Sequence, residues 1–293
     1  MDRVISLLPF EIGNVMRLVK ERVAEIRIRR RRFLAVTVIS SKEGEIHFEN
    51  RELGLFIHDA LMEATVSALT QGSVYSYENT INEGYITVQG CCRIGVIGRA
   101  VCEDGNIKHL SRIDSLCIRI SRDILNVSDQ LFNVIEESAF KASLLVFSPP
   151  GCGKTTVLRD LAKKLATKKR VALIDSRCEL VSPILEKTPH IDVLLAYPKA
   201  KGIEIAVRTL FPEYIICDEI GLLHEGEALG AVQNAGVPMI MTAHAASLNE
   251  LFSRDAFLLF HRKHYFDHYA SIDRLYVDAS ASFSVTRWED VRI

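Results

Sequence analysis

The spacing of apolar and polar positions changes character near the middle of this 293-residue chain. In the first half, residues 26–39 (IRIRRRRFLAVTVI) alternate and become β-branched towards their end, which predicts strand. Residues 53–69 (LGLFIHDALMEATVSAL) carry apolar side chains at helical spacing and predict an amphipathic helix. Residues 84–110 are short β-branched runs broken by Gly84, Gly90, Gly95, Gly98 and the pair Asp104-Gly105. That is the pattern of antiparallel strands joined by tight turns. Residues 115–121 (SLCIRIS) close this half, which is expected to be a smaller α+β domain over residues 1–125.

From there on strands and helices take turns. Residues 128–141 read as a helix, and 144–147 (LLVF) as a buried strand. Residues 155–166 form a helix with Val157, Leu158, Leu161 and Leu165 on one face. Strands follow at 171–175, 214–217 and 237–244, with helices at 199–210 and at 227–236, the latter closing on Gly236. Repeated β-α units predict an α/β domain over 126–293, a parallel sheet with helices on both faces.

Composition narrows the classes. Hydrophobic residues make up 48% and charged residues 25%, as in folded globular protein. A net charge of −1 supplies no bulk attraction for nucleic acid, and no nucleic-acid partner is expected. No run approaches the roughly 18 apolar residues of a spanning helix, so no direct membrane insertion is expected. The seven cysteines are scattered without a C-x-x-C pair, which suits reduced, buried thiols of a cytosolic protein better than a zinc site. His261, His264 and His268 have spacing that would align on one helix face, but the surrounding residues read as a helix end entering a strand. The run Arg29-Arg30-Arg31-Arg32 reads as a solvated turn or strand entrance rather than an anion-binding patch.

The chemistry concentrates at Ser148-Pro149-Pro150-Gly151-Cys152-Gly153-Lys154-Thr155-Thr156, between a buried strand and an amphipathic helix. In a phosphate loop, backbone N–H groups and the helix dipole face the phosphates. Gly151 and Gly153 permit positive φ and close approach. Lys154 is placed for the β- and γ-phosphates and Thr155 for magnesium, which makes ATP with Mg2+ the expected cofactor pair. Ser148 stands where the strict pattern has its first glycine. Asp218 ends a second buried strand (IIC-Asp218-Glu219), where its carboxylate would hold the magnesium through water. Glu219 beside it is placed to take a proton from an attacking water. His244, at the tip of the next strand, is a candidate contact to the γ-phosphate. A transition state of this kind needs more positive charge than the loop offers. Arg119 is the first candidate, with Arg112 and Arg99 behind it.

Residues 206–221 (AVRTLFPEYIICDEIG) and 227–248 resemble the RecA-like secretion ATPases of type II and type IV systems. Arg208, Pro212-Glu213, Glu219-Ile220 and Thr242-Ala243-His244 match that pattern in order, and LIDSRCEL (173–180) resembles its acidic box, with Asp175 and Glu179 as carboxylates. More closely, EIRIR (25–29), residues 84–101, SLCIRISRDI (115–124), the phosphate loop with its helix, and CDEIG resemble the stage III sporulation protein AA family. The resemblance implies a RecA-like P-loop ATPase acting as a hexameric ring. It implies work in a mother cell, on the inner face of the membrane, with membrane-protein components of a complex that reaches the forespore. It also implies that the N-terminal domain of one subunit helps cover nucleotide. A nucleic-acid motor on the same core, or an ATP-binding scaffold with little turnover, are the alternatives.

Overall fold

The computed structural model describes residues 2–19, 21–42, 45–88, 92–120, 123–182, 185–275 and 281–292. The chain forms two compact units, residues 1–121 and 122–293.

The first unit contains α1 (Asp2–Ile5), α2 (Phe10–Leu18), β1 (Arg22–Arg29), β2 (Phe33–Lys42), β3 (Glu45–Phe56), α3 (Asp59–Leu69), α4 (Glu78–Asn82), β4 (Tyr85–Val88), β5 (Cys92–Glu103) and β6 (Asn106–Arg119). The six strands form one sheet in the order β3-β2-β1-β6-β5-β4, antiparallel throughout. Alternate residues Ile26, Ile28, Val36, Val38, Leu116 and Ile118 are buried in one cluster with Ile12 and Met16 of α2 and Met62 and Val66 of α3. Between β5 and β6, Asp104 and Gly105 both take positive φ (51° and 80°), the two-residue turn whose twist matches a hairpin. Gly90 and Cys91 lie outside the described residues.

One expectation needs correction. The helix read from residue 53 begins at Asp59: β3 continues to Phe56, which pairs with Phe33 of β2. The His58 side chain then caps the helix by accepting the Leu61 N–H at 3.2 Å. Leu53 and Leu55 therefore alternate along a strand, a two-residue spacing that a short apolar run shares with the start of a helix. Residues 115–119 form the end of β6, which runs unbroken from Asn106 to Arg119. Between β1 and β2 the arginine run makes the turn. The Arg30 guanidinium is buried against Asp59 and Asp114, each at 3.4 Å, and against Glu63.

The second unit contains α5 (Asp129–Glu137), β7 (Leu144–Ser148), α6 (Lys154–Leu165), β8 (Val171–Asp175), β9 (Ile191–Leu195), α7 (Lys199–Thr209), β10 (Tyr214–Cys217), α8 (Glu225–Asn234), β11 (Met239–His244), α9 (Leu248–Phe252), α10 (Asp255–Arg262), β12 (His268–Leu275) and β13 (Ala281–Arg287). The sheet order is β13-β12-β7-β11-β10-β8-β9, parallel from β12 to β9, with β13 an antiparallel edge. The central strands are buried on both sides, so their residues divide between two cores. Leu144, Val146, Leu173 and Ile216 join Val157, Leu158, Leu161 and Leu165 of α6. Leu145, Ile174, Ile215 and Met241 join Ile203 of α7 and Leu229 and Val232 of α8. β9 and β13 carry no uniform apolar run and are half-exposed, so the sequence does not signal them.

The three histidines do not share a helix face. α10 ends at Arg262, and His268 opens β12. His261 Nδ1 sits 2.9 Å from the Tyr269 hydroxyl, while His264 stacks on Trp288 with ring centres 4.1 Å apart. Among the described residues no helix is long and apolar enough to cross a membrane.

Candidate functional site

The loop 148–156, the pair Asp218-Glu219 and His244 lie at or just after the carboxyl ends of the neighbouring parallel strands β7, β10 and β11, where open α/β sheets place their ligands. β7 ends at Ser148, and the chain turns through Pro149 to Gly153 before α6 starts at Lys154. Gly151 and Gly153 both take positive φ, 79° and 86°. The N-cap position is Gly153, which has no side chain to cap the first N–H groups of α6. Ser148 ends β7 in extended backbone and is buried, a conformation that requires no glycine. Cys152 Sγ lies 3.9 Å from the Pro150 carbonyl, and Thr156 follows Thr155 on α6.

Lys154 is only 6% exposed. Its ammonium donates to the carbonyls of Ser148 (2.7 Å) and Pro149 (3.0 Å) and to Ser148 Oγ (3.3 Å). Burial pushes its pKa below the usual lysine value, and the nearby Asp218 carboxylate opposes that shift. The ammonium also lies 2.8 Å from His244 Nδ1. An ammonium can only donate, so Nδ1 accepts and the ring proton of the neutral imidazole sits on Nε2. That nitrogen lies 3.2 Å from Glu219 Oε1. His244 thus joins the phosphate-loop lysine to the glutamate after β10.

Asp218 and Glu219 are held by Thr242 of β11. The fully buried Thr242 hydroxyl accepts the Glu219 N–H at 2.8 Å and donates to Asp218 Oδ1. Asp218 Oδ2 accepts from Thr155 Oγ1 at 3.4 Å, which brings both expected magnesium contacts together. The fit to a nucleotide with magnesium is therefore good: an uncapped helix start, a buried ammonium, and a hydroxyl beside a carboxylate.

One group departs from the sequence expectation, and another is absent from it. The Asp175 carboxylate is buried and accepts the N–H groups of Glu179, Leu180 and Val181, each at 2.9 Å. It shapes the loop after β8 instead of facing the site. The side chain brought to Glu219 from that loop is Arg177, whose Nη1 reaches Glu219 Oε2. No spacing rule could have singled out Arg177, because its direction depends on the turn that Asp175 organises. Arg208 pairs with Glu204 at 3.2 Å, and Glu213 accepts from Lys169 at 3.2 Å and from the Arg170 N–H at 3.1 Å. In the first unit, the Arg119 side chain is 80% exposed at the end of β6, with Nε 3.9 Å from Glu25 Oε1. Arg112 and Arg99 approach Asp114 at 2.6 and 4.0 Å.

The family model described as Sporulation stage III, protein AA matches residues 2–277. The chain belongs to this family. It is 34% identical over 220 residues to Stage III sporulation protein AA of Bacillus subtilis (strain 168), covering 71% of each chain. It is also 29% identical over 153 residues to the uncharacterized protein ycf45 of Cyanidium caldarium, covering 47% of this chain and 43% of that one. Among solved structures it is similar to the Legionella pneumophila ATPase DotB, with TM-score 0.58, 15% identity and coverage of 90% of this chain and 76% of that one. It is likewise similar to the pilus retraction motor PilT with bound ADP, with TM-score 0.56, 14% identity and coverage of 94% and 82%. At such identities the likeness shows the fold alone: the RecA-like P-loop fold of the secretion ATPases.

Thr242→Val keeps the shape of the buried side chain but strands the Glu219 N–H. A buried donor left without a partner costs about 1–3 kcal/mol, so chemical denaturation should show a loss of that size. Thr242→Ser should stay close to the parent. Equal stability of the valine variant and the parent would contradict the bridging role.

Proposed function

We propose that this chain is a Mg2+-dependent ATPase that drives a sporulation-associated transenvelope complex. The observation that carries the reading is the meeting of Lys154, the Thr155–Asp218 pair and Glu219 around the uncapped start of α6. In this reading residues 148–156 cradle the triphosphate through backbone N–H groups, and Lys154 leaves its carbonyl partners for the β- and γ-phosphate oxygens. Magnesium, held by Thr155 directly and by Asp218 through water, would supply charge neutralisation between the phosphates.

Glu219 takes the proton of the attacking water, whose oxygen bonds to the γ-phosphorus as the bond to the ADP oxygen breaks. The carboxylate must first be released from Arg177. His244 connects the two events: when Lys154 turns to the phosphates, Nδ1 loses its donor, and the hydrogen bond from Nε2 to Glu219 changes with it. The side chain at the strand tip would thereby report the state of the γ-phosphate.

Membership of the sporulation family supports the setting, and the secretion-ATPase fold supports the working unit, a homo-oligomeric ring of six subunits. In such a ring Arg119 of one subunit would complete the nucleotide site of the next. The ring would sit in the mother-cell cytoplasm, held to the inner face of the membrane through membrane-protein partners.

Lys154→Ala should abolish nucleotide binding or weaken it sharply, as measured by titration of the folded variant with a fluorescent ATP analogue. Unchanged affinity would remove the phosphate-loop assignment. Glu219→Gln, nearly isosteric but unable to take the proton, should bind ATP and lose about 10²–10⁴-fold in turnover. Parental turnover would place the base elsewhere. Arg119→Ala should be inactive alone but regain phosphate release when mixed with Lys154→Ala subunits, because mixed rings contain intact composite sites. Mixed assemblies that form but stay inactive would refute the action of Arg119 on a neighbour.

A further inference from the structure

The four residues after β10 run through an unusual piece of backbone. Glu219 takes a left-handed φ of 48°, a conformation that L side chains seldom adopt and that persists only when its surroundings fix it. Ile220 is buried, and its N–H donates to the Thr242 carbonyl at 2.8 Å. Beyond it the chain has no apolar anchor, since Leu222 and Leu223 are each 56% exposed. What holds this segment from the other side is charge. The Glu225 carboxylate, 3% exposed, accepts the N–H groups of Gly221 (2.7 Å) and Leu222 (2.9 Å) through Oε2. Its other oxygen lies 3.7 Å from the ammonium of Lys199, and that ammonium donates to the Glu219 carbonyl.

Lys199 and Glu225 belong to the first turns of different helices, α7 and α8. A carboxylate at the start of α8 could serve only its own helix, accepting the free N–H groups before it. That reading leaves Lys199 unexplained. The lysine comes from another helix and spends a donor on the carbonyl of Glu219, the residue of this segment with left-handed backbone. Burying such a pair costs desolvation that two apolar side chains would avoid, so the pair is a poor device for stability alone. We infer that Lys199 and Glu225 are positioning residues that lock the backbone of Glu219, Lys199 at its carbonyl and Glu225 at the two N–H groups that follow. With Thr242 holding the Glu219 N–H, both sides of the residue are then fixed, and its carboxylate is held between His244 and Arg177. The inference rests on the proposed role of Glu219 in hydrolysis.

The test uses the full chain with Lys199→Met, Lys199→Arg and Glu225→Gln. Lys199→Met should lower kcat by about 10–100-fold per nucleotide-binding site, the scale expected when a reacting group is misplaced by an ångström, with ATP affinity within about twofold of the parent. Lys199→Arg should restore part of kcat, because it returns a donor and a charge. Glu225→Gln, which keeps the acceptor but drops the charge, should fall in between and serves if the methionine variant folds poorly. Hydrogen exchange gives a readout that needs no turnover: the Gly221 and Leu222 amides should exchange faster in Lys199→Met and Glu225→Gln while those of α6 do not change. Parental kcat together with parental exchange at these amides, in folded variants, would overturn the inference. If the parent chain releases no phosphate, the hydrolase reading fails, and the exchange rates still decide whether the brace exists.

Discussion

A lysine ammonium enclosed by protein must have its donors used, and at Lys154 that requirement sets the geometry of everything around it. Removing the charge from water is costly unless several oxygens replace the lost hydration. The carbonyls of Ser148 and Pro149 and the Ser148 hydroxyl supply them, and they can do so only because the loop folds back over the start of α6. Gly151 and Gly153 make that fold possible with their left-handed backbone. His244 Nδ1 shares the same three donors as a further acceptor, which settles its tautomer and with it the hydrogen bond to Glu219. One buried charge thereby orders a chain of contacts from α6 across β11 to the end of β10.

The parallel sheet makes this chain short. Its strands β7, β11 and β10 are neighbours in register, with His244 opposite Ser148 and Met241 opposite Cys217. The carboxyl ends of the strands therefore carry the loop, the histidine and the acidic pair side by side. Buried polar groups around them are matched with one another: Thr242 with the Asp218 carboxylate and the Glu219 N–H, Asp175 with three N–H groups, Glu225 with two. Polar satisfaction of this kind fixes loop backbone that apolar packing cannot reach.

Much of this was legible in the chain because the elements that carry it are strongly patterned. The buried strands at 144–147, 171–175 and 214–217 and the amphipathic α6 show their periods plainly, and the phosphate loop between two of them has few other meanings. The sequence was misleading where patterns overlap, as at Leu53 and Leu55, whose alternation along β3 passes for the first turn of a helix. It was silent where a side chain's direction depends on tertiary turns. Asp175 is drawn into the backbone of its own loop, and Arg177 and Lys199 reach Glu219 from segments whose spacing to it carries no signal. Motifs mark residues that touch a ligand; the residues that aim them are visible only once the loops are folded.

Phosphate release by the purified chain given ATP with and without Mg2+ is the most direct test of ATP hydrolysis at this site. The expected result is turnover that requires the metal and stops when a chelator removes it. Saturating binding of ATP and Mg2+ with no phosphate released over the uncatalysed background would contradict it.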